Sequence, residues 1–145
     1  MAEDDRELKI IYDYGALLSR AYSKLPIKRG SRAYDIPSLD IDYVGDHTMV
    51  KNFGYVCDRI RREPRIAMRF FLKELAMPGS LDERNNLIVY RRVSSKSLQD
   101  LYNRFLETYV RCATCGSYDT ELGREGKVWY IQCLACGAKT YVKPI

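Results

Sequence analysis

A helical pattern of apolar residues opens the chain. Between residues 8 and 25, apolar side chains recur every three or four positions, and the charged side chains lie mostly on the opposite side. The apolar positions are Ile10, Ile11, Tyr14, Leu17, Leu18, Ala21, Tyr22 and Leu25. We predict an amphipathic helix that stops at Pro26, since proline cannot continue it. A helix of this length is marginal in water, so its stripe must pack on the rest of the chain or on a partner.

The next two segments are a linker and a domain. Residues 27–38 mix glycine, serine and proline with basic side chains, which is typical of a linker. In residues 39–110, apolar and polar positions alternate at the start, Gly45-Asp46 forms a turn, and a second hairpin is centred on Asn85-Asn86. These patterns predict a small, mostly antiparallel sheet.

Three helices are predicted in the same domain. The first follows Asn52, a good N-cap, and the second begins at Pro64, because proline is well tolerated in a first turn. Ser94 or Ser95 caps the third. The predicted inner faces are Phe53, Val56, Cys57 and Ile60, then Ala67, Phe71 and Leu75, then Leu98, Leu101, Phe105 and Tyr109. Cys57 is therefore expected to be an inert core residue.

The other four cysteines form two pairs, Cys112-x2-Cys115 and Cys133-x2-Cys136, with 17 residues between them. Each pair can bind one ion from a tight turn, and two pairs complete a tetrahedron of thiolates. We predict a structural Zn²⁺ site, because thiolates occupy all four positions and leave none for a reactive water. A redox-active dithiol and an iron–sulfur cluster are the alternatives.

The residues around these cysteines predict a zinc ribbon over residues 111–145. A β-hairpin turns at Gly123 and Gly126, and Lys139–Val142 adds a third strand. About 35 residues cannot build a self-sufficient core, so the metal must supply much of the folding free energy. We expect Trp129 to pack in the small ribbon core, the alternative being an exposed ring that contacts a base or a protein.

Charge adds a second candidate site. The chain has 24 Lys and Arg against 19 Asp and Glu, a net charge of +5 that suits contact with RNA and is equally typical of a solvated surface. Arginines concentrate around Pro64, where they could bind phosphates or form a solvated face. This cluster comprises Arg59, Arg61, Arg62, Arg65 and Arg69.

Several functional classes are not supported by the sequence. No apolar run approaches the roughly 18 residues that span a membrane, and the acidic start is unlike a signal peptide, so we expect a soluble, cytoplasmic protein. The single histidine, His47, falls in a predicted turn, and phosphate-loop, nucleophile-elbow and H-E-x-x-H motifs do not occur. The chain is therefore expected not to be an enzyme.

A family resemblance extends over nearly the whole chain. It is carried by residues 12–26, by Asn52-Phe53 with Cys57–Arg62, by Leu72–Leu75 with Pro78–Asp82, by Arg104–Val110 running into Cys112, and by Trp129–Ala138 with Val142–Ile145. In this order and spacing they resemble the beta subunit of archaeal translation initiation factor 2, although no single stretch is specific.

The resemblance implies an α+β protein with an N-terminal docking helix (1–26), a linker (27–38), a central α/β domain (39–110) and a C-terminal zinc ribbon (111–145). In that family the helix docks on the gamma subunit, the GTPase of a heterotrimer that brings methionylated initiator tRNA to the small ribosomal subunit. The apolar stripe then becomes a partner-binding face, carried by Tyr14, Leu17, Leu18, Tyr22 and Leu25. The ribbon is expected to add affinity for tRNA or the ribosome through Arg124, Lys127, Lys139 and Lys143.

Two other functions remain open from the sequence. The amino-terminal part of initiation factor 5, which promotes GTP hydrolysis by the same GTPase, shares the central domain and ribbon but looks unlike this chain at the first helix. A DNA-binding zinc ribbon of the transcription type would instead bind duplex DNA tightly through residues 110–145, with a steep salt dependence.

Overall fold

A computed structural model describes residues 13–24 and 35–145. The chain divides into two compact units, Met1–Ala33 and Tyr34–Ile145. Residues 8–12 and Leu25 of the predicted helix, and residues 27–34 of the predicted linker, lie outside the described residues. Within that part of the chain, none of the helices combines the length and apolar character needed to cross a bilayer.

The described part of the first unit contains one helix, α1, which spans Tyr14–Lys24. Its start differs from the prediction of one continuous helix from residue 8. The Asp13 carboxylate accepts hydrogen bonds from the backbone N–H groups of Gly15 (3.0 Å) and Ala16 (3.3 Å), and Asp13 itself is not helical. Asp13 is therefore the N-cap of α1, a role that periodicity alone does not reveal.

A four-stranded antiparallel sheet forms one layer of the second unit. Its strands are β1 (Ile41–Val44), β2 (His47–Val50), β3 (Gly79–Leu81) and β4 (Leu87–Val89), in the spatial order β1-β2-β4-β3. Both predicted hairpins are present. His47 is the first residue of β2 rather than part of the turn, because the turn needs only Gly45 and Asp46.

Three helices cover one face of this sheet, α2 (Phe53–Arg59), α3 (Pro64–Leu75) and α4 (Ser95–Tyr109). Their predicted inner faces are buried, except that Leu75 and Leu101 are only partly so. Ser94 caps α4 by accepting a hydrogen bond from the Ser97 N–H at 3.2 Å. The core is rich in aromatic rings that meet edge to face or tilted, among them Phe53, Phe70, Phe71, Phe105 and Tyr109.

Asn52 lies at the N-cap of α2, as predicted, but its side chain does not cap the helix. Its Oδ1 accepts from the Asp40 N–H at 2.8 Å, and its Nδ2 donates to the Ser38 carbonyl at 2.7 Å. The Tyr102 hydroxyl donates to the neighbouring Pro37 carbonyl at 3.0 Å. The segment that enters β1 is therefore fixed to the helical layer by side chains.

The C-terminal ribbon is a three-stranded antiparallel sheet of β5 (Thr120–Glu125), β6 (Val128–Cys133) and β7 (Lys139–Val142). The predicted turn at Gly123 is wrong, because this glycine lies within β5, opposite Tyr130. A Cβ atom on Gly123 would come within 2.3 Å of Tyr130 Cζ, so the glycine makes room for the ring. The fold is α+β, as expected, with two small antiparallel sheets in the described residues.

Candidate metal centre and binding surfaces

The four predicted ligands of the ribbon come together at one point. The sulfur atoms of Cys112, Cys115, Cys133 and Cys136 all lie within 4.8 Å of one another. Cys112 Sγ is 3.7 Å from Cys136 Sγ, and Cys115 Sγ is 3.6 Å from Cys133 Sγ. Bonds of about 2.3 Å to one zinc ion would place the corners of a regular tetrahedron about 3.8 Å apart. The cluster therefore has the dimensions of a four-thiolate metal site and could hold an ion.

The two cysteine turns have the same hydrogen-bond pattern, although they lie far apart in sequence. In the first turn, Cys112 N–H donates to Ser117 O at 2.8 Å and Gly116 N–H donates back to Cys112 O at 3.0 Å. In the second, Cys133 and Gly137 make the equivalent bonds at 2.9 and 3.1 Å. Both glycines have positive φ (71° and 75°), the conformation in which a side chain is strained. Each turn is thus built to hold two sulfurs on the same side.

Backbone N–H groups favour the thiolate form at this centre. The N–H of Cys115 points at Cys112 Sγ and, against the effect of burial, lowers the pKa of Cys112 to about 6. At Cys136 the N–H of Ala138 also lowers the pKa, but burial and the sulfurs of Cys115 and Cys133 outweigh it and raise the value to about 12. Four adjacent thiols cannot all ionise unaided, and a divalent cation removes this conflict.

Cys57 lies away from the cluster and is chemically quiet. It is buried on the inner face of α2. Burial, with a smaller contribution from Asp58, raises the pKa of its thiol to about 12, so the thiolate is not available near neutral pH. The prediction of an inert core cysteine is consistent with this position.

Arg62 is not an RNA-binding candidate, and here the sequence prediction is wrong. The residue is only 3% exposed. Its guanidinium donates to the backbone carbonyls of Tyr109 (2.7 and 3.0 Å), Ile60 (3.1 Å) and Arg61 (2.9 Å), and to Thr120. These donors are used inside the protein, so none is left for a phosphate. Burial lowers the pKa of Arg62 to about 10, and the nearby Glu121 carboxylate partly offsets this.

The local backbone explains why Arg62 turns inward. Arg61 adopts the left-handed conformation (φ 52°), and the Arg62 N–H returns to the Cys57 carbonyl at 2.9 Å. These bonds end α2 in the way that a glycine usually does. The chain reverses there, and the Arg62 side chain reaches the C-terminal carbonyls of α2 and α4, which carry partial negative charge.

The rest of the arginine cluster divides into two groups. Arg61 Nη1 lies 3.1 Å from Asp119 Oδ1 as an ion pair, although Oδ1 accepts no hydrogen bond of good geometry from the described residues. Arg59 donates to the Asp35 carbonyl at 3.5 Å. Arg65 and Arg69 are exposed on α3. Only these last two line a cleft, which is closed on its other side by the ribbon.

The four basic residues predicted for the ribbon do not form one patch. Arg124 lines the cleft against α3, and Lys127 is exposed in the β5–β6 turn. Lys139 Nζ is paired with Glu125 at 2.5 Å and lies 3.9 Å from the centre of the Tyr130 ring; the hydrogen bond to Glu125 raises its pKa. Lys143 is exposed beyond β7. An RNA-binding role for these four residues stays a prediction.

Trp129 differs from its predicted place in the ribbon core. Ile131, two residues along β6, is buried at 2% exposure and fills the position next to the cysteines. Trp129 is only half-buried and lines the cleft with Arg65 and Arg69. Hydrophobicity alone did not separate the two residues, because both lie on the same face of the strand.

The predicted partner-binding residues of α1 lie in solvent. No residue of α1 is buried, and Tyr14 and Tyr22 are 77% and 67% exposed. Leu17 and Leu18 are also exposed, and the fifth residue, Leu25, lies outside the described residues. The helix therefore presents an apolar stripe in addition to its polar face.

Fold and cysteine centre together define a small α+β protein that carries a cysteine-rich ribbon. A family model, described as a domain found in initiation factors 2B and 5, matches residues 26–139. Proteins named "Translation initiation factor 2 subunit beta" match over 134 residues, 92% of this chain and 96% of theirs. The protein of Sulfurisphaera tokodaii is 49% identical and that of Saccharolobus islandicus (strain L.S.2.15) 50%. Another, from Metallosphaera sedula, is 50% identical over 91% of this chain and 95% of its own length.

The chain therefore belongs to the archaeal translation initiation factor 2 beta subunit family. The resemblance noted in the sequence is confirmed. The family model also names initiation factor 5, but these relatives match across almost the whole chain, which favours the first of the three interpretations over the other two.

Proposed function

We propose that this protein is a non-catalytic subunit of a translation initiation factor. It docks through α1 on a GTPase (gamma) subunit and supports the delivery of initiator methionyl-tRNA to the small ribosomal subunit in the cytoplasm. Support for the general assignment comes from relatives whose own names describe a beta subunit of initiation factor 2. The observation that carries the docking role is the exposed apolar stripe of α1.

The stripe has the properties of a partner-binding helix. Tyr14, Leu18 and Tyr22 follow one another at intervals of four residues, so their side chains lie on one face of the helix. Exposed apolar patches of this kind usually mark an interaction site, and an amphipathic helix binds a hydrophobic groove through such anchors. Tyrosines are frequent anchors in such interfaces.

The proposed cofactor is a structural Zn²⁺ ion bound by the four ribbon cysteines. Zinc accepts four thiolate ligands in a tetrahedron, which fits the sulfur separations of 3.6 and 3.7 Å. The role of these residues is to hold the two turns together, since β5–β7 bury little apolar surface of their own. A site filled by four thiolates has no open position for a substrate, which agrees with a non-catalytic function.

Co-purification with the GTPase subunit of an archaeal initiation factor 2 tests this function. The full chain should co-elute with that subunit in size-exclusion chromatography, and a variant lacking residues 1–25 should not. Circular dichroism of the shortened variant should still report a folded second unit, since its core contains residues from Leu39 onward. Co-elution of the shortened variant would contradict the docking role of α1.

A further inference from the structure

We propose that the cleft between α3 and the ribbon binds one nucleotide unit of single-stranded RNA. In this site a base stacks on Trp129, and the flanking phosphates pair with Arg65, Arg69 and Arg124. The proposal rests on the proposed function in one respect, that the protein acts among RNA molecules. It assigns a ligand to a part of the chain that is separate from α1.

The cleft is formed by two elements of the second unit. Its volume is about 320 Å³, near the lower end of the roughly 300–1,000 Å³ of small-ligand sites. A single base with its phosphate suits this size better than a folded partner does. The cleft is lined by Arg65, Ile66 and Arg69 from α3, and by Leu122, Arg124 and Trp129 from the ribbon.

Strand pairing places a cation beside the aromatic ring. Arg124 of β5 lies directly opposite Trp129 of β6, so both side chains are on the same face of the ribbon, about 5 Å apart at Cβ. The buried residue Ile131 lies on this face too. The ribbon face is thus anchored at Ile131, while Trp129 extends beyond it into the cleft. Arg124 Nε donates to Gly126 O at 2.6 Å, a bond that holds the side chain without using its two terminal nitrogens.

The opposite wall contributes two further cations. Arg65 and Arg69 are four residues apart on α3, so they are neighbours on one helical face and repel each other. Both are exposed, and within the described residues neither takes part in a salt bridge. The one acidic residue of the lining is Glu63. Three guanidinium groups against one carboxylate favour an anion that carries more than one negative charge.

The combination of ring and charge selects the ligand class. A phosphate oligomer would satisfy the arginines but has no flat face for Trp129. An acidic peptide has the same shortcoming. Duplex RNA keeps its bases stacked inside the helix, whereas a single strand offers both an unstacked base and adjacent phosphates.

Fluorescence of Trp129 reports binding directly, because it is the single tryptophan of the chain. The full, zinc-loaded chain is titrated with hexauridylate and hexaadenylate at low salt. We expect saturable quenching by both oligonucleotides, weakened as salt is raised. Inorganic polyphosphate should compete for the site without quenching the ring by stacking.

Matched variants locate the site. Arg69→Glu should weaken binding about tenfold or more, whereas Lys73→Glu, the same charge change one turn further along α3 and outside the cleft lining, should change it less than about threefold. Trp129→Phe should retain most of the affinity and Trp129→Leu should lose about tenfold, measured with fluorescently labelled oligonucleotide. Arg69 is exposed, so its variant does not depend on how well the Trp129 variants fold.

Three outcomes would overturn the proposal: no quenching at any concentration tested, equal effects of Arg69→Glu and Lys73→Glu, or polyphosphate binding as tight as that of the oligonucleotides. None of them would touch the proposed subunit function. Co-elution of Arg69→Glu with the GTPase subunit, measured in parallel, separates failure of the cleft from failure of the assembly.

Discussion

Arg62 and Thr120 are joined by two hydrogen bonds that connect the central domain to the ribbon. Arg62 Nη1 donates to the Thr120 carbonyl at 2.8 Å, and Nη2 donates to Thr120 Oγ1 at 2.7 Å. The Thr120 hydroxyl in turn donates to the carbonyl of Val110. Both residues are buried, so a single cation satisfies carbonyl groups from α2, α4 and β5 at one point. The ribbon is therefore attached to the domain by a polar joint as well as by apolar contacts.

This joint predicts a large stability loss for Arg62→Met. The substitution keeps an unbranched apolar stem but leaves the buried carbonyls of Tyr109 and Thr120 without donors. We expect the free energy of unfolding to fall by about 3 kcal/mol, measured by urea denaturation. Arg61→Met is the matched control, since it removes only the surface pair with Asp119 and should cost less than about 1 kcal/mol. Equal losses in the two variants would mean that the joint contributes nothing.

Metal removal should unfold the ribbon selectively. When a zinc chelator is added under reducing conditions, we expect the four clustered cysteines to become reactive toward a thiol reagent. Cys57 should react only after a denaturant is added, because it is buried in the core. The measurement is a thiol count before and after chelation. Five reactive thiols without denaturant, or rapid reaction of all four before chelation, would contradict the assignment.

Ala76→Gly should stabilise the protein. Ala76 ends α3 in the left-handed conformation (φ 51°), and the Met77 N–H returns to the Leu72 carbonyl at 3.3 Å. Alanine is strained there and glycine is not, so we expect a gain of roughly 0.5–1 kcal/mol after the greater entropy of the unfolded chain is allowed for. Thermal melts of both proteins measure the difference. A lower melting temperature for the glycine variant would rule out strain at this position.

Alkaline pH should destabilise the core through Cys57. Its pKa is about 12 in the folded chain, against 9.0 for a free thiol, because burial disfavours the thiolate. A raised folded pKa means that the full contribution is present below pH 9.0 and is lost as pH rises toward 12.

The comparison that isolates this effect is wild type against Cys57→Ala, unfolded by urea between pH 8 and pH 11. The wild type should lose about 2 kcal/mol more than the variant over this range, since the variant has no thiol to ionise. Parallel pH profiles would show that Cys57 does not titrate differently in the folded and unfolded chains.

Much of the fold follows from local patterns in the sequence. The spacing of the four cysteines indicated one cluster, because a pair two residues apart has few ways to point its sulfurs. The helical inner faces followed from periodicity, and the hairpins from Gly45 and Asn85, which both have positive φ. In each case the deciding interaction lies within a few residues.

What could not be predicted depends on distant contacts. Arg62 looked like its neighbours in an arginine-rich turn, and only its position beside Tyr109 and Thr120 makes it a buried joint. Trp129 and Ile131 share a strand face, and the depth at which each lies is set by α3. Asn52 looked like a cap but instead binds Ser38 and Asp40. These residues acquire their roles from segments that the local pattern does not contain.

The apolar stripe of α1 is tested most directly by titrating the GTPase subunit with full-length variants in a calorimeter. Leu18→Asp and Tyr22→Ala should each weaken binding by about 2 kcal/mol or more, as expected for anchors in a groove. Ala16→Asp places the same new charge on the opposite face of α1 and should leave the affinity within about threefold. Near-wild-type binding by both stripe variants, or an equal loss in the Ala16 control, would contradict the docking role of this face.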